Sequence, residues 1–525
     1  MPTRALAALA FITTISAAPP AKTPLQTLLD AAIASGASSL TLDANATFAQ
    51  GAAPLTITAA NFSLRGNGAR VVFAPGAGVV IERAADVDVS ALTVAYDPPC
   101  FAQGSIVAFN ATARPRTFDL RLDAGFSAPD AAFFTSVETK LQFFDAATLR
   151  RVPQSGSCIV TVEPGAVALG VYRLREAFPC GNVPGITALR ATVSSRVNGY
   201  DFQIPGGYVG GAWWVFNSTR VTTRGVTLLG SGNFAISEWG GGGGHVYDGV
   251  VLARDAARGA LLSSNTDGFH SFAVSKGPTV TNCDLGFMGD DVANVHNRVG
   301  IILSAAALPS GDLAVSLIDV GDTPTPRLDP REPARALAFA RPGDVLKVTS
   351  AAGAPRGGAP GGALVIKQIS WNADPATVAA AVAAVNARGG EACDPRGVGV
   401  WAVVFAAPAK LDVVKDDITQ FDRFSGVGVR VFGNHFHDAY DSCFRLQASG
   451  AAIYNNSWAR TSGGITVTYD AEWLEGASDI RDVAVTDCTF ESIGYTPATR
   501  VEDIFHVSST VVNFTQAGNV IVPPA

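Results

Sequence analysis

Six short stretches of this chain share one shape, a turn-forming pair followed closely by an apolar residue. They are "TRGVTL" ending at Leu228, "YDGVVL" at Leu252, "TNCDL" at Leu285, "GNHF" at Phe436, "YNNSW" at Trp458 and "TDCTF" at Phe490. Consecutive end points fall 24, 33, 22 and 32 residues apart, with one long gap between Leu285 and Phe436. A period in the low twenties, lengthened by about ten where a loop is added, fits one coil of a parallel β-helix. Each coil supplies short strands that cannot bury their inner face alone and must stack on their neighbours. Asparagines and small residues at the turns then line up from coil to coil. The expected fold is all-β, a right-handed parallel β-helix. A charged content of only 16% beside 54 Gly and 30 Pro agrees, because few charges and many turn-formers favour β-structure over helical bundles.

Two segments break the period. From about Asp97 to Ser195 the pattern alternates ("TFDLRLDAG", "SCIVTVEPGAVALGVYRL"), which reads as a small antiparallel barrel or sandwich. From about Val299 to Phe424 a second interruption holds one clear helix, with Asp374 as N-cap, Pro375, "ATVAAAVAAVNAR" and then Gly389-Gly390. The expected organisation is a signal peptide (1–18), a cap helix with the first coils (19–96), an inserted barrel (97–195), central coils with the site (196–298), a second inserted domain (299–426) and last coils (427–525). The cap helix is read from Thr23 as N-cap, Pro24 at its first position and Gly36 as its stop, with Leu25, Leu28, Leu29 and Ile33 on one face. It would cover sheet edges that the first coil exposes.

The N-terminus, "MPTRALAALAFITTISAAPPAKT", has one basic residue, a short apolar run and small residues, the pattern of a secretory signal. No later stretch has the length and apolarity of a membrane span, so an exported protein is expected. Sequons at Asn45, Asn61, Asn110, Asn217, Asn455 and Asn513 are candidate glycosylation points in a eukaryotic host. With 38 Lys+Arg against 45 Asp+Glu, the net charge of −7 leaves no basic footprint for nucleic acid. No CxxC pair occurs among the seven cysteines, which argues against a zinc ribbon. Cys158 and Cys180 could pair, and Cys283 and Cys488 read as buried small residues of the repeat.

The chemistry concentrates in "SSNTDGFHSFAVSKGPTVTNCDLGFMGDDVANVHN", Ser263 to Asn297. If one coil takes about 23 residues, Asp267 lies beneath Asp290 and Asp291, with strands about 4.8 Å apart. Adjacent strand residues point to opposite faces, so both members of the pair reach one cleft only at a bend, which Gly289 supplies. Carboxylates that close cannot all stay ionised. One protonated and one or two ionised carboxyls suit glycoside hydrolysis, and a diagonal pair could leave the roughly 6.5–9.5 Å that an inverting enzyme needs for its water. Asn265, His270, Asn294 and His296 would hydrogen-bond sugar hydroxyls. "SEWGGGGGHVYDG" reads as a rim loop in which Glu238 contacts substrate and Trp239 stacks on a sugar face, and Trp213 and Trp214 divide between core and cleft. Glu472 and Glu475 lie on a loop within reach of hydroxyls. No dedicated metal cage and no cofactor are read from the residues.

"NTDG" followed one coil later by "GDD" resembles the pectin-lyase-like β-helical glycosidases, including the polygalacturonases of glycoside hydrolase family 28. The longer pattern "DGFHS…GPTVTNCDLGFMGDDVANVH" is more similar to family 110, exo-acting α-galactosidases that invert configuration. "LTVAYDPPCFAQGSI" and "YDAEWLEGASDIRDVAVTDCTF" resemble that family's first inserted barrel and late coils. The polygalacturonase Gly-His-Gly and Arg-Ile-Lys motifs are not present. The resemblance implies Asp290 as general acid, with Asp267 and Asp291 holding and deprotonating the water. "FHDAYDSCFRLQAS" departs from the expected Arg/Gly-rich turn, with Arg445 as its remnant substrate contact. The expectation is a secreted inverting exo-glycosidase acting on terminal α-1,3-linked galactose, with a galactose-terminated glycan as partner. The alternatives are another β-helical polysaccharide enzyme (hydrolase, lyase or epimerase) and an inactive carbohydrate-binding β-helix. Lyases of this fold call for calcium and a basic residue near the site, and the sequence shows neither.

Overall fold

The computed structural model describes residues 23–131, 139–152, 158–177, 180, 189–195, 211–297, 299–320, 340–350, 356–358, 362–372, 375–386, 398–410, 412–415, 417–421, 426–439, 444–468, 480–493 and 504–522. The proposed signal peptide, Glu472, Glu475, Asp374, Gly389, Gly390, Cys393 and Cys443 lie outside them.

The described chain winds into a parallel β-helix in which a typical coil carries three short strands. Two strands of each coil join an eighteen-stranded sheet and the third joins a nine-stranded sheet. The six apolar positions of the repeat stack in one row: Leu228 pairs with Leu252, then Leu285, Phe436, Trp458 and Phe490. All six are buried, and burying side chains of this size is worth about 1.5–3 kcal/mol each. The residue at the corner before them is left-handed throughout: Gly225, Gly249, Asn282, Gly433, Asn455, Asp487 and Gly518 all have φ between 53° and 69°. Gly, Asn and Asp are the residues that reach that region at least cost.

The next corner position carries an asparagine ladder. The Asn434 side-chain carbonyl accepts from Cys283 N–H (2.8 Å), and that of Asn456 accepts from Asn434 N–H (3.0 Å). Cys283 and Cys488 are buried free thiols, as the repeat implied.

A helix over Pro24–Ala34 begins at Thr23, whose side chain accepts from Gln26 N–H. Leu25 and Leu29 are buried, but Leu28 is half-exposed, contrary to the expected face. Gln26 occupies the inward position instead and grips the backbone of Thr56, donating to its carbonyl (3.0 Å) and accepting from its N–H (2.7 Å). An amide thus does the edge-covering that the apolar pattern assigned to leucine.

Two closed barrels interrupt the coils. The first is antiparallel and comprises Ala102–Asn110, Thr117–Leu122, Thr139–Asp145, Cys158–Val162, Val171–Glu176 and Leu189–Ser195. The Cys158–Cys180 disulfide joins it. The second comprises Val299–Ala307, Leu313–Val320, Val345–Thr349, Ala363–Asn372, Val398–Phe405 and Ile418–Phe421, with the helix Pro375–Asn386 against it.

Candidate active site

The strand Phe269–Phe272 pairs in parallel with Ala293–His296, setting His270 beside Asn294 and Phe272 beside His296. Just upstream, Gly268 N–H donates to Asp291 O (2.9 Å). Phe269 pairs with Ala293, a step of 24 residues, so Asp291 rather than Asp290 stands over Asp267. Asp290 is displaced to one side at the bend that follows Met288. Carboxylate oxygens of all three aspartates lie within 4.8 Å of one another. That is tighter than the expected 6.5–9.5 Å, because coil stacking brings two of the three into direct line. The same oxygens could also chelate a cation.

Each aspartate has its own support. Asp267 Oδ2 meets His270 Nδ1 at 2.8 Å, and His270 Nε2 meets His296 Nε2 at 2.9 Å. Asp291 Oδ2 is 3.9 Å from Arg445 Nη1, a long ion pair from the following coil. Asp290 Oδ2 is 3.2 Å from Nζ of Lys140, a nearly buried lysine of the first barrel. Lys140 Nζ and Gln142 Nε2 both donate to Gly289 O, each at 2.8 Å. A Cβ at Gly289 would lie 2.4 Å from Asn265 O, so only glycine lets the two coils approach here. The Asp290 side chain is 34% exposed, against 7% for Asp267 and 5% for Asp291. Asp290 is therefore the carboxyl that a solvent-borne ligand meets first.

Lys140 and Gln142 were not legible in the sequence. "TKLQFF" alternates polar and apolar residues like any half-exposed strand, and only the docking of the barrel buries its polar side. The expectation that no basic residue stands near the site is corrected by Lys140 and Arg445.

Several expected substrate contacts are placed otherwise. Asn265 is buried, and its amide donates to Cys100 O (3.2 Å) and Gly232 O (3.1 Å), joining the site to the start of the first barrel. His270 and His296 are buried and line up behind Asp267, with Phe234 stacked on His270 at 4.0 Å. Asn294 is buried beside His270. The Gly-rich stretch is no rim loop. A Cβ at Gly243 would meet Lys276 O at 2.1 Å, and one at Gly241 would meet Ser218 N at 2.6 Å, so these glycines form a packed corner between coils. Trp239 is buried between Trp214 (5.5 Å) and Phe272 (5.3 Å). Trp213 and Trp214 take opposite sides of their strand but are both buried.

Glu238 points into the solenoid, where Ser271 Oγ donates to its Oε2 (2.7 Å) and Tyr247 adjoins it. Burial raises its carboxyl to about 7 despite those two hydrogen bonds. Nearby in sequence, burial pushes His245 down to about 3, and its Nδ1 accepts from Val221 N–H (3.0 Å), which requires that nitrogen unprotonated.

No protein-family model matches the chain, and no curated protein matches its sequence. Among solved structures, the A-module of an Azotobacter vinelandii mannuronan C-5 epimerase overlaps 95% of this chain and 92% of its own, at 11% identity and TM-score 0.24. A glycoside hydrolase overlaps 87% and 89% at 8% identity and TM-score 0.24. A tailspike protein of a Pseudomonas phage overlaps 95% of this chain and 56% of its own at 10% identity and TM-score 0.17. Overlaps this loose carry no argument, and the fold rests on the strand pairing itself. Among the described residues no helix is long and apolar enough to cross a membrane.

Proposed function

We propose that this protein is an exported glycoside hydrolase that removes terminal α-linked galactose with inversion. The observation that carries the reading is the meeting of Asp267, Asp290 and Asp291 across two adjacent coils, each with a separate partner. Asp291 beside Arg445 and Asp267 beside His270 are the carboxylates to hold and deprotonate water. Asp290, the most exposed and crowded by both, is the acid that protonates the leaving oxygen. Lys140 opposes a proton there, but its ammonium is shared with Gly289 O, which it meets more closely (2.8 Å against 3.2 Å). The α-1,3-galactoside preference rests on the motif resemblance.

Incubation with aryl α- and β-glycosides and with α-1,3-galactobiose, followed by NMR of the first-formed anomer, tests this. Release of β-galactose first is expected. Retained α-anomer first excludes inversion, and sugar binding without hydrolysis favours a binding protein. Lys140 beside the aspartates gives a uronan lyase or epimerase a specific observation in its favour. The lysine is nearly buried and tied to Gly289 O, so it positions Asp290 rather than reaching a sugar carbon. An unsaturated product from a uronan would reverse that judgement.

A further inference from the structure

On the face opposite the strand interior, Asp284, His435 and His437 gather where the chain resumes coiling after the second barrel. The strands Asp284–Gly286 and His435–His437 pair directly, Asp284 with His435 and Gly286 with His437. Leu285 and Phe436 are buried between them, so the flanking side chains share the outer face. One oxygen of Asp284 and one ring nitrogen of each histidine lie within 4.8 Å of one another. Asp284 Oδ1 and His437 Nε2 are 3.3 Å apart. Two neighbouring ligands of a tetrahedral zinc, at bond lengths of about 2.0–2.1 Å, stand at about that separation.

The outer contacts are those that metal-binding histidines use. His437 Nδ1 meets Asp438 Oδ2 at 2.9 Å, and Arg460 holds Asp438 through two nitrogens at 3.0 and 2.8 Å. His435 Nδ1 meets Ser457 Oγ at 2.8 Å. Both rings are thereby oriented at Nδ1 and leave Nε2 as the ligating atom. Room for the ring is also built in. A Cβ at Gly286 would lie 2.1 Å from His437 Cε1 and 2.3 Å from Nε2, so any other residue would displace the imidazole from Asp284. Asp284 and His435 also line an open trough of about 580 Å³, which gives an ion a path from solvent.

We infer that Asp284, His435 and His437 form a zinc site that staples the two coils flanking the second barrel. Two imidazoles and one carboxylate suit zinc and leave a fourth position for water, whereas calcium takes an all-oxygen set. The site is independent of the proposed hydrolysis.

The test uses the untagged full chain, stripped by chelator and titrated with Zn²⁺ against a chromophoric competitor. Co²⁺ serves as a spectroscopic probe of coordination. One equivalent is expected in the wild type and in Asp290→Asn, with a four-coordinate Co²⁺ spectrum and no response to Ca²⁺. His437→Ala should lose the site, and Asp438→Asn should weaken it about 10- to 100-fold. Zinc should raise the melting temperature of the wild type and not of His437→Ala. Should the metal-free His437→Ala chain fail to fold, His435→Gln replaces it, since glutamine keeps a polar side chain at that position. Equal zinc binding in the wild type and the histidine variants overturns the inference, as does loss of zinc in Asp290→Asn, which would place the ion in the aspartate trio.

Discussion

His270 and His296 face each other Nε2 to Nε2 at 2.9 Å, so one hydrogen sits between them. His296 Nδ1 is 3.1 Å from Asn297 O, which can only accept, and His270 Nδ1 is 2.8 Å from Asp267 Oδ2. Satisfying all three contacts puts three hydrogens on four ring nitrogens. The pair then carries one positive charge, the counter-ion of the Asp267 carboxylate. His296→Ala should lower kcat about 10- to 100-fold with little change in KM, as expected when a positioned base loses its alignment. A rise in KM alone would instead make His296 a sugar contact.

Asp290→Asn should depress hydrolysis of the natural linkage by about 10²- to 10⁴-fold. Aryl glycosides with good leaving groups need little protonation, so they should recover much of the lost rate. Asp267→Asn and Asp291→Asn should show no such recovery. Identical behaviour of all three variants across a leaving-group series would remove the acid role from Asp290.

Lys140→Met takes one of two donors from Gly289 O and frees the Asp290 bend. Loss of a charged donor to a buried carbonyl costs about 1–3 kcal/mol, to be read from chemical denaturation. Turnover should fall further than that destabilisation explains, because the bend sets where Asp290 points. Wild-type kcat in a destabilised Lys140→Met protein would confine the lysine to the scaffold.

Glu238 gives a pH dependence of known sign. Its folded value of about 7 lies above the ordinary 4.5, so the folded state binds more protons between those limits. Its contribution is full below about pH 4.5 and is lost as pH rises through 7. Glu238→Gln removes the ionisation and keeps an acceptor for Ser271. Relative to the wild type it should gain up to about 3 kcal/mol between pH 5 and pH 8. A constant stability difference across that range would place the carboxyl elsewhere than in the core.

Cys158 pairs in register with Leu141, next to Lys140, and its disulfide to Cys180 closes a separation of 22 residues. Breaking it by Cys158→Ser with Cys180→Ser should cost roughly 3 kcal/mol. Turnover should decline with it, because the strand bearing Lys140 loses its tether. Calorimetry and kinetics on the same sample decide whether the two losses travel together.

The stacked row from Leu228 to Phe490 was legible because each coil repeats one demand, an apolar side chain just after a left-handed corner. The aspartate trio was legible for the same reason, although the count of 24 exchanged the partner of Asp267 from Asp290 to Asp291. Glu238 was misread because glycines beside a charged residue suggest an open loop. Here they are required by backbone atoms of neighbouring coils, and strand phase turns Glu238 inward. The long-range partners Lys140 and Gln142 carry no local signal at all. Their burial depends on how a barrel docks, which no periodicity records.

The grip of Lys140 and Gln142 on Gly289 also orders events during synthesis. Domains fold largely as they emerge, N-terminal parts first. The first barrel is complete before Gly289 exists, so its two donors wait for a carbonyl that arrives later. A chain halted after His296 would own all three aspartates and this clamp, yet lack Arg445. Competence for catalysis would then switch on only once the second barrel has been made and the next coil laid down.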